Sequence, residues 1–153
     1  MRLALFEPDI PQNTGTLMRL CACMNVPMDI IEPCGFILSD KNLKRAGMDY
    51  IEHLDMTKHI NWEAFRAAHA DKRLVLLSTK ASESFIDFKF QPNDILIAGR
   101  ESAGVPENVH QACASRVFIP MQTGLRSLNV ALASAIVLGE ALRQTKQYPV
   151  GSP

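Results

Sequence analysis

Three loops of the sequence carry residues whose types and spacing suit chemistry on a phosphate or a hydroxyl group. The first loop contains Asn13 and Gly15 and leads into a helical pattern that includes Arg19. The amino end of a helix favours an anion, and an arginine one turn further on can bind a phosphate through two hydrogen bonds. A capped helix with a solvated arginine explains the same residues without any ligand. The first loop alone leaves both interpretations open.

The second and third loops follow later predicted strands. The second is a glycine turn, Gly99–Gly104, with Glu101 inside it, where a carboxylate can orient a hydroxyl group or bind a cation. It matches neither the dinucleotide pattern GxGxxG nor a Walker A loop, which argues against a dinucleotide oxidoreductase or an NTPase. The third loop places Ser127 as a predicted N-cap and Asn129 in the first turn of the last helix. A hydrolase triad built on Ser127 is a weaker alternative, because no GxSxG elbow is present.

The elements between these loops predict the scaffold. Short apolar runs alternate with helical patterns, which favours an α/β fold with a mostly parallel sheet and helices on both faces. Ligands bind beyond the carboxyl ends of such strands, so the loops are expected at one edge. The predicted strands are Arg2–Phe6, Met28–Glu32, Asp49–His53, Leu74–Ser78, Ile95–Ala98 and Val117–Ile119. The predicted helices are Thr14–Met24 with Asn13 or Thr14 as its cap, Trp62–Ala70 capped by Asn61, a short one after Pro106, and one from about Leu128 to Gln144.

The composition limits the class of protein. The chain has 153 residues, of which 47% are hydrophobic and 21% charged, with 16 basic and 16 acidic side chains. This profile predicts one globular domain over residues 1–153, and no apolar run approaches the roughly 20 residues that cross a bilayer. A zero net charge is unusual for a nucleic-acid binder, so an RNA partner requires a local basic patch.

Metal and disulfide chemistry are not indicated by the spacing. The four cysteines include no CxxC pair and the four histidines no HxxxH pattern, which predicts free thiols in a reducing cytoplasm and no metal site. The last predicted helix is apolar nearly all round, so we expect the sheet to cover one side and a second subunit the other.

Taken in order, the three loops resemble a known family. Their sequences are similar to the three motifs of the SPOUT methyltransferases, in the branch that methylates ribose 2′-hydroxyls of RNA. The matching motifs are Asn13-x-Gly15-x-x-x-Arg19-x-Cys21, Gly99-x-Glu101-x-x-Gly104, and Ile119-Pro120-Met121 with Arg126-Ser127-Leu128-Asn129-Val130. Within that branch the chain most resembles the small tRNA (cytidine/uridine-34) 2′-O-methyltransferases. That likeness rests on Glu7-Pro8-x-Ile10-Pro11, Ile31-Glu32-Pro33-x-Gly35-Phe36 and Arg45-Ala46-Gly47-x-Asp49-Tyr50.

The resemblance implies a fold, a cofactor and an assembly. The carboxyl-terminal segment would form a trefoil knot, and the protein would be a homodimer. S-adenosylmethionine would give its methyl group to a ribose 2′-oxygen in tRNA and leave as S-adenosylhomocysteine, with no metal. The residues that match the family's cofactor positions are Leu77, Thr79, Gly99, Glu101, Ile119, Met121, Ser127 and Leu128. Those that match its catalytic positions are Asn13, Arg19, Glu101, Ser127 and Asn129.

Residue chemistry refines these expected roles. A guanidinium scarcely deprotonates, so we expect Arg19 to hold the target phosphate and stabilise the developing alkoxide, oriented by Glu101 and Asn13. The candidate RNA-binding patch consists of Lys41, Lys44, Arg45, Lys80, Arg100 and Arg126. Methylation of another RNA such as ribosomal RNA, a catalytically silent RNA-binding dimer, and a flavodoxin-like binding domain are the alternatives.

Overall fold

A computed structural model describes residues 1–39, 41 and 50–151 of the chain. Within these ranges seven strands form one sheet in the order β3-β2-β1-β6-β4-β7-β5, and every neighbouring pair is parallel. The strands are β1 (Arg2–Phe6), β2 (Met28–Ile31), β3 (Met56–His59), β4 (Leu74–Leu77), β5 (Glu83–Ser84), β6 (Ile95–Ala98) and β7 (Ser115–Phe118). The helices are α1 (Pro11–Met24), α2 (Trp62–Ala68), α3 (Glu107–Ala112) and α4 (Val130–Thr145), with a 3-10 turn at Ile51–His53.

Side chains alternate across the sheet and create a core on each face. In β1, Leu3 and Leu5 belong to the core that α1 and α4 complete, whereas Ala4 and Phe6 belong to the core that α2 and α3 complete. Full burial of a leucine side chain contributes about 2 kcal/mol relative to an exposed one. The predicted α/β fold with a parallel sheet and helices on both faces is therefore confirmed.

The prediction of a strand over Asp49–His53 is wrong where the structure describes it. Ile51–His53 is a 3-10 turn, and Asp49 lies outside the described residues. The third strand is instead Met56–His59, which pairs along one side only. Because it is an edge strand, two of its four side chains, those of Thr57 and Lys58, are exposed, so its sequence lacks the apolar run that marks an inner strand.

Two helix starts also differ from the predicted ones. Helix α1 begins at Pro11, where the missing N–H of proline has no cost, so Asn13 and Thr14 lie inside the helix and do not cap it. Helix α4 is capped by Asn129, whose side-chain oxygen accepts hydrogen bonds from the backbone of Ala131 at 2.8 Å and Leu132 at 3.3 Å. Ser127, the predicted cap, precedes this turn. No helix in the described ranges is long and apolar enough to cross a membrane.

A buried carboxylate in β2 is neutralised by basic side chains. Asp29 accepts hydrogen bonds from Arg2 Nε at 2.8 Å and Arg2 Nη2 at 3.2 Å, while Nε2 of His59 lies 2.8 Å and Nε2 of His69 3.4 Å from Asp29 Oδ1. Burial raises the pKa of Asp29, but the bonds from Arg2 and His59 outweigh it, so this pKa lies below its usual value. Asp29, His59 and His69 are close enough to hold a metal ion, but the Arg2 guanidinium contacts both carboxylate oxygens, which favours an ion-pair network.

We expect Asp29→Asn to lower the free energy of unfolding by about 3 kcal/mol, because it leaves the Arg2 guanidinium without its counter-charge. Because the folded-state pKa is depressed, this stabilisation is present above the unfolded pKa of about 3.9 and is lost as the pH falls through the folded-state pKa. Urea unfolding at pH 7 and pH 3 should give a wide gap between wild type and variant at pH 7 and a narrower one at pH 3. Asp71→Asn, at the exposed pair with Lys72, is the control without effect. A gap that does not narrow in acid would contradict this account.

Candidate active site

The carboxyl ends of β1, β4, β6 and β7 surround a cavity of about 610 Å³. The sheet order places β6 and β4 side by side between β1 and β7, so loops that are far apart in sequence meet at one edge. Helix α3 and the first turn of α4 close the cavity. Its volume lies within the range of small-molecule binding sites.

Most of the predicted site residues line this cavity. All eight residues matched to cofactor positions do so, namely Leu77, Thr79, Gly99, Glu101, Ile119, Met121, Ser127 and Leu128. Four of the five matched to catalytic positions do so as well, namely Asn13, Glu101, Ser127 and Asn129. The structure therefore brings the three motif loops together.

The cavity also has lining residues that sequence analysis did not predict. Ala133 lies one helical turn after Asn129, so the helical period could have indicated it. Ile10 directly precedes α1 and comes three positions before Asn13, so the helical period could have indicated it as well. Glu107 and His110 come from α3, whose position over the cavity depends on the sheet order and has no local signal.

A chain of hydrogen bonds connects the first, second and third motif loops. The backbone N–H of Asp9 donates to Glu101 Oε2 at 3.0 Å, and the backbone N–H of Glu101 donates to Asp9 Oδ1 at 3.0 Å. Asn13 Nδ2 donates to Glu101 Oε1 at 3.3 Å, and Asn129 Nδ2 donates to Asn13 Oδ1 at 2.9 Å. The hydroxyl of Ser102 donates to Asp9 Oδ2. These bonds fix the orientations of Glu101, Asn13 and Asn129 relative to one another.

The two carboxylates of this chain affect each other's ionisation. Hydrogen bonds with Glu101 and Ser102 lower the pKa of Asp9 to about 2. Burial, and then the hydrogen bond with Asp9, raise the pKa of Glu101 above its usual value. Two neighbouring carboxylates resist ionising together, so one loses its proton before the other. Asp9 is the one that ionises first, because its pKa is the lower of the two. Glu101 is thus a half-buried carboxylate with a raised affinity for a proton, which suits an acceptor for a hydroxyl hydrogen.

The glycine turn closes on itself, and Gly99 is necessary for that closure. A Cβ at Gly99 would lie 2.9 Å from the carbonyl carbon of Gly104 and 3.0 Å from its Cα. Arg100 and Gly104 exchange two backbone hydrogen bonds of 3.1 and 2.8 Å, and Gly104 has a φ of 65°. The turn therefore packs its own backbone too tightly for a side chain at Gly99.

Arg19 lies outside the cavity. Its guanidinium carbon is 4.7 Å from the centre of the Tyr50 ring, and its Nη2 donates to the Tyr50 hydroxyl at 3.3 Å. Arg19 comes six positions after Asn13, which is about 9 Å along the helix and on another face. Asn13 and Glu101, expected to orient Arg19, bond to each other instead, and Arg19 contacts Tyr50.

The candidate RNA-binding residues fall into different surroundings. Lys80 and Arg100 line the cavity. Arg100 forms an ion pair with Glu7 at 3.0 Å, and its guanidinium carbon lies 5.6 Å from the centre of the Phe6 ring, so its charge is already neutralised within the protein. The remaining candidates are the exposed Lys41 and Arg126, and Lys44 and Arg45, which lie outside the described residues.

Comparisons with known proteins agree with this geometry. Residues 1–139 match the SpoU rRNA Methylase family. A tRNA (cytidine(34)-2'-O)-methyltransferase from Beijerinckia indica subsp. indica is 58% identical over 144 residues, which cover 93% of this chain and 90% of the relative. The solved structure "Structural insights into the 2-OH methylation of C/U34 on tRNA" has a TM-score of 0.87 and 40% identity, with 94% of both chains covered. The SpoU methyltransferase AviRb from Streptomyces viridochromogenes, in complex with the cofactor AdoMet, has a TM-score of 0.79 and 26% identity, covering 94% of this chain and 57% of that one.

Proposed function

Because the chain belongs to the SpoU rRNA methylase family, we propose that it transfers a methyl group from S-adenosylmethionine to the ribose 2′-hydroxyl of cytidine or uridine 34 in tRNA. The observation that carries this proposal is that the three motif loops meet at one cavity, around Glu101, Asn13 and Asn129. The name of the 58% identical relative supports tRNA as the substrate and nucleotide 34 as the target. On this proposal residues 1–153 form one methyltransferase domain that works in the cytoplasm, where it meets tRNA.

The cavity suits S-adenosylmethionine in size and chemistry. Its volume of about 610 Å³ accommodates a molecule of this size, and Leu77, Ile119, Met121 and Leu128 offer apolar surface to an adenine ring. The AdoMet complex of AviRb supports the same cofactor. When bound, S-adenosylmethionine supplies a methyl group activated by a positively charged sulfur. No metal enters this account.

The chain's own residues orient the ribose hydroxyl and accept its hydrogen. Each oxygen of Glu101 accepts one hydrogen bond within the protein and retains a second lone pair for a hydroxyl. The raised pKa of Glu101 strengthens that acceptor. Ser127 lines the same cavity and can donate a hydrogen bond to the ribose or the cofactor. Arg19 lies outside the cavity and binds a tRNA phosphate next to the target nucleotide, which holds the ribose in place. Lys80 and Arg126 extend the positive surface for the RNA backbone.

The apolar surface of α4 supports a homodimer. Leu132 is 59% exposed and Ile136 is 44% exposed, one turn apart on the same side of the helix. Leu128, 40% exposed, lies in the loop directly before the helix cap and extends this apolar stripe. An exposed apolar stripe of this kind is typical of an interface, and a second copy of the same helix across a two-fold axis matches it.

We expect Leu132→Glu to convert the dimer into a monomer, because it places a charge in the centre of the apolar stripe. Light scattering measures the change, and Tm should fall with it because dimer and fold are linked. Ile60→Glu is the matched control, since Ile60 is 76% exposed in the loop before α2 and should leave the assembly unchanged. A Leu132→Glu protein that remains dimeric would place the interface elsewhere.

The trefoil knot implied by the resemblance is part of the same proposal. Gln144 on α4 donates to the carbonyl of Phe88 at 3.1 Å and accepts from the backbone N–H of Phe90 at 3.0 Å. These bonds fasten the last helix to the segment between β5 and β6.

The proposed function is tested with tRNA that carries either ribose or 2′-deoxyribose at nucleotide 34. Transfer of labelled methyl groups from S-adenosylmethionine should occur with the first tRNA and be absent with the second, because the second lacks the attacking oxygen. Equal transfer to both would place the methyl group at another atom. Transfer to ribosomal RNA alone would favour the alternative substrate.

A further inference from the structure

Asp9 exchanges two hydrogen bonds with Glu101, although it is not among the residues that line the cavity. Each of the two residues donates its backbone N–H to the other's carboxylate, at 3.0 Å in both directions. Ser102 adds a hydrogen bond to the second oxygen of Asp9. The Asp9 side chain thereby holds the backbone of the glycine turn at the residue whose carboxylate faces the cavity.

The loop after β2 holds Asp9 from another direction. A Cβ at Gly35 would lie 2.7 Å from Asp9 Cβ and 2.9 Å from Asp9 Cα, and the backbone N–H of Gly35 donates to the carbonyl of Pro8 at 2.9 Å. Only a residue without a side chain permits this approach. Asp9 is therefore positioned by two loops of the protein itself, before any cofactor or RNA binds.

We propose that Asp9 is a positioning residue for the methyl transfer: it fixes the glycine turn so that Glu101 meets the ribose hydroxyl in one orientation. This inference rests on the proposed function. The Glu101 side chain has three rotatable bonds. Besides the backbone N–H of Asp9, it accepts a hydrogen bond from Asn13 Nδ2 at 3.3 Å. If the Asp9 carboxylate is removed, the turn loses its anchor at Glu101 N, and the Glu101 side chain spreads over more rotamers. Reaction rates depend steeply on such orientation.

Three variants separate positioning from a general structural role. Asp9→Leu keeps a similar size without any acceptor, Asp9→Asn keeps one acceptor oxygen for the backbone N–H of Glu101, and Ser102→Ala removes only the outer bond. We expect Asp9→Leu to lower kcat about 30-fold, with KM for tRNA and the calorimetric Kd for S-adenosylmethionine within about threefold of wild type. Asp9→Asn should restore most of kcat, and Ser102→Ala should retain most of it.

Three results would overturn the inference while the proposed function stands. The first is an Asp9→Leu protein with wild-type kcat, and the second is an Asp9→Asn protein as slow as Asp9→Leu. Parallel losses in kcat, cofactor affinity and Tm would also overturn it, because they indicate a collapsed loop rather than a misdirected carboxylate. A wild-type protein that binds S-adenosylmethionine but methylates no tRNA would refute the proposed function, and the inference with it.

Discussion

Replacement of Arg19 by alanine should lower kcat for tRNA methylation about 100-fold, because the phosphate that Arg19 binds outside the cavity orients the ribose hydroxyl for attack. The affinity for S-adenosylmethionine should stay within about twofold, because Arg19 lies outside the cavity and contacts Tyr50. Steady-state methyl transfer with saturating tRNA and cofactor measures the first quantity, and calorimetry with the cofactor alone measures the second.

Two further variants control the Arg19 experiment. Arg19→Lys keeps the positive charge without the planar pair of donors, so its kcat should lie between those of wild type and Arg19→Ala. Arg143→Ala removes an exposed arginine that pairs with Glu140 on α4 and should leave kcat unchanged. Equal losses in turnover and cofactor affinity after Arg19→Ala would contradict the proposed role.

Gly99→Ala should weaken S-adenosylmethionine binding more than tenfold and reduce methyl transfer with it. The added methyl group would lie 2.9 Å from the carbonyl carbon of Gly104, so the backbone of the turn must move. Because that turn lines the cavity, its movement changes the shape of the cofactor site. Calorimetric titration with S-adenosylmethionine measures the effect, and the Tm measured in parallel shows that the protein remains folded.

A second glycine is the matched control for Gly99→Ala. Gly151→Ala adds the same methyl group at an exposed site where, among the described residues beyond its chain neighbours, no heavy atom lies within 4 Å, and it should bind the cofactor as wild type does. A Gly99→Ala protein with unchanged cofactor affinity would show that the cavity does not depend on the closure of this turn.

The inner strands and the motif loops were predictable from the sequence because their signals are local. The apolar runs of β1 and β6 mark strands that are buried on both faces, and a parallel sheet aligns the loops after such strands. Edge strand β3 was not predicted because two of its four side chains are exposed, so its sequence lacks the apolar run of an inner strand. Helix α1 begins early because proline suits the first helical position even where no side chain caps the helix.

The sequence predicted which residues belong to the site better than it predicted the contacts between them. The position of Arg19 depends on Tyr50, which comes from a different part of the chain, and the role of Asp9 depends on backbone N–H groups that carry no sequence signal. Arg100 appeared as a free cation in the sequence, but the Glu7 carboxylate neutralises it. Tertiary contacts thus decided which of the motif's charges remain available for a substrate.

The central claim is methylation of the ribose 2′-oxygen at nucleotide 34, and mapping of the methylated nucleotide tests it most directly. Unmodified tRNA is incubated with the protein and S-adenosylmethionine, digested with nucleases, and analysed by mass spectrometry of the fragments. We predict one added methyl group on the ribose of nucleotide 34, resistant to alkaline cleavage at that position. A methyl group on a base, or on a ribose elsewhere in the tRNA, would contradict the account.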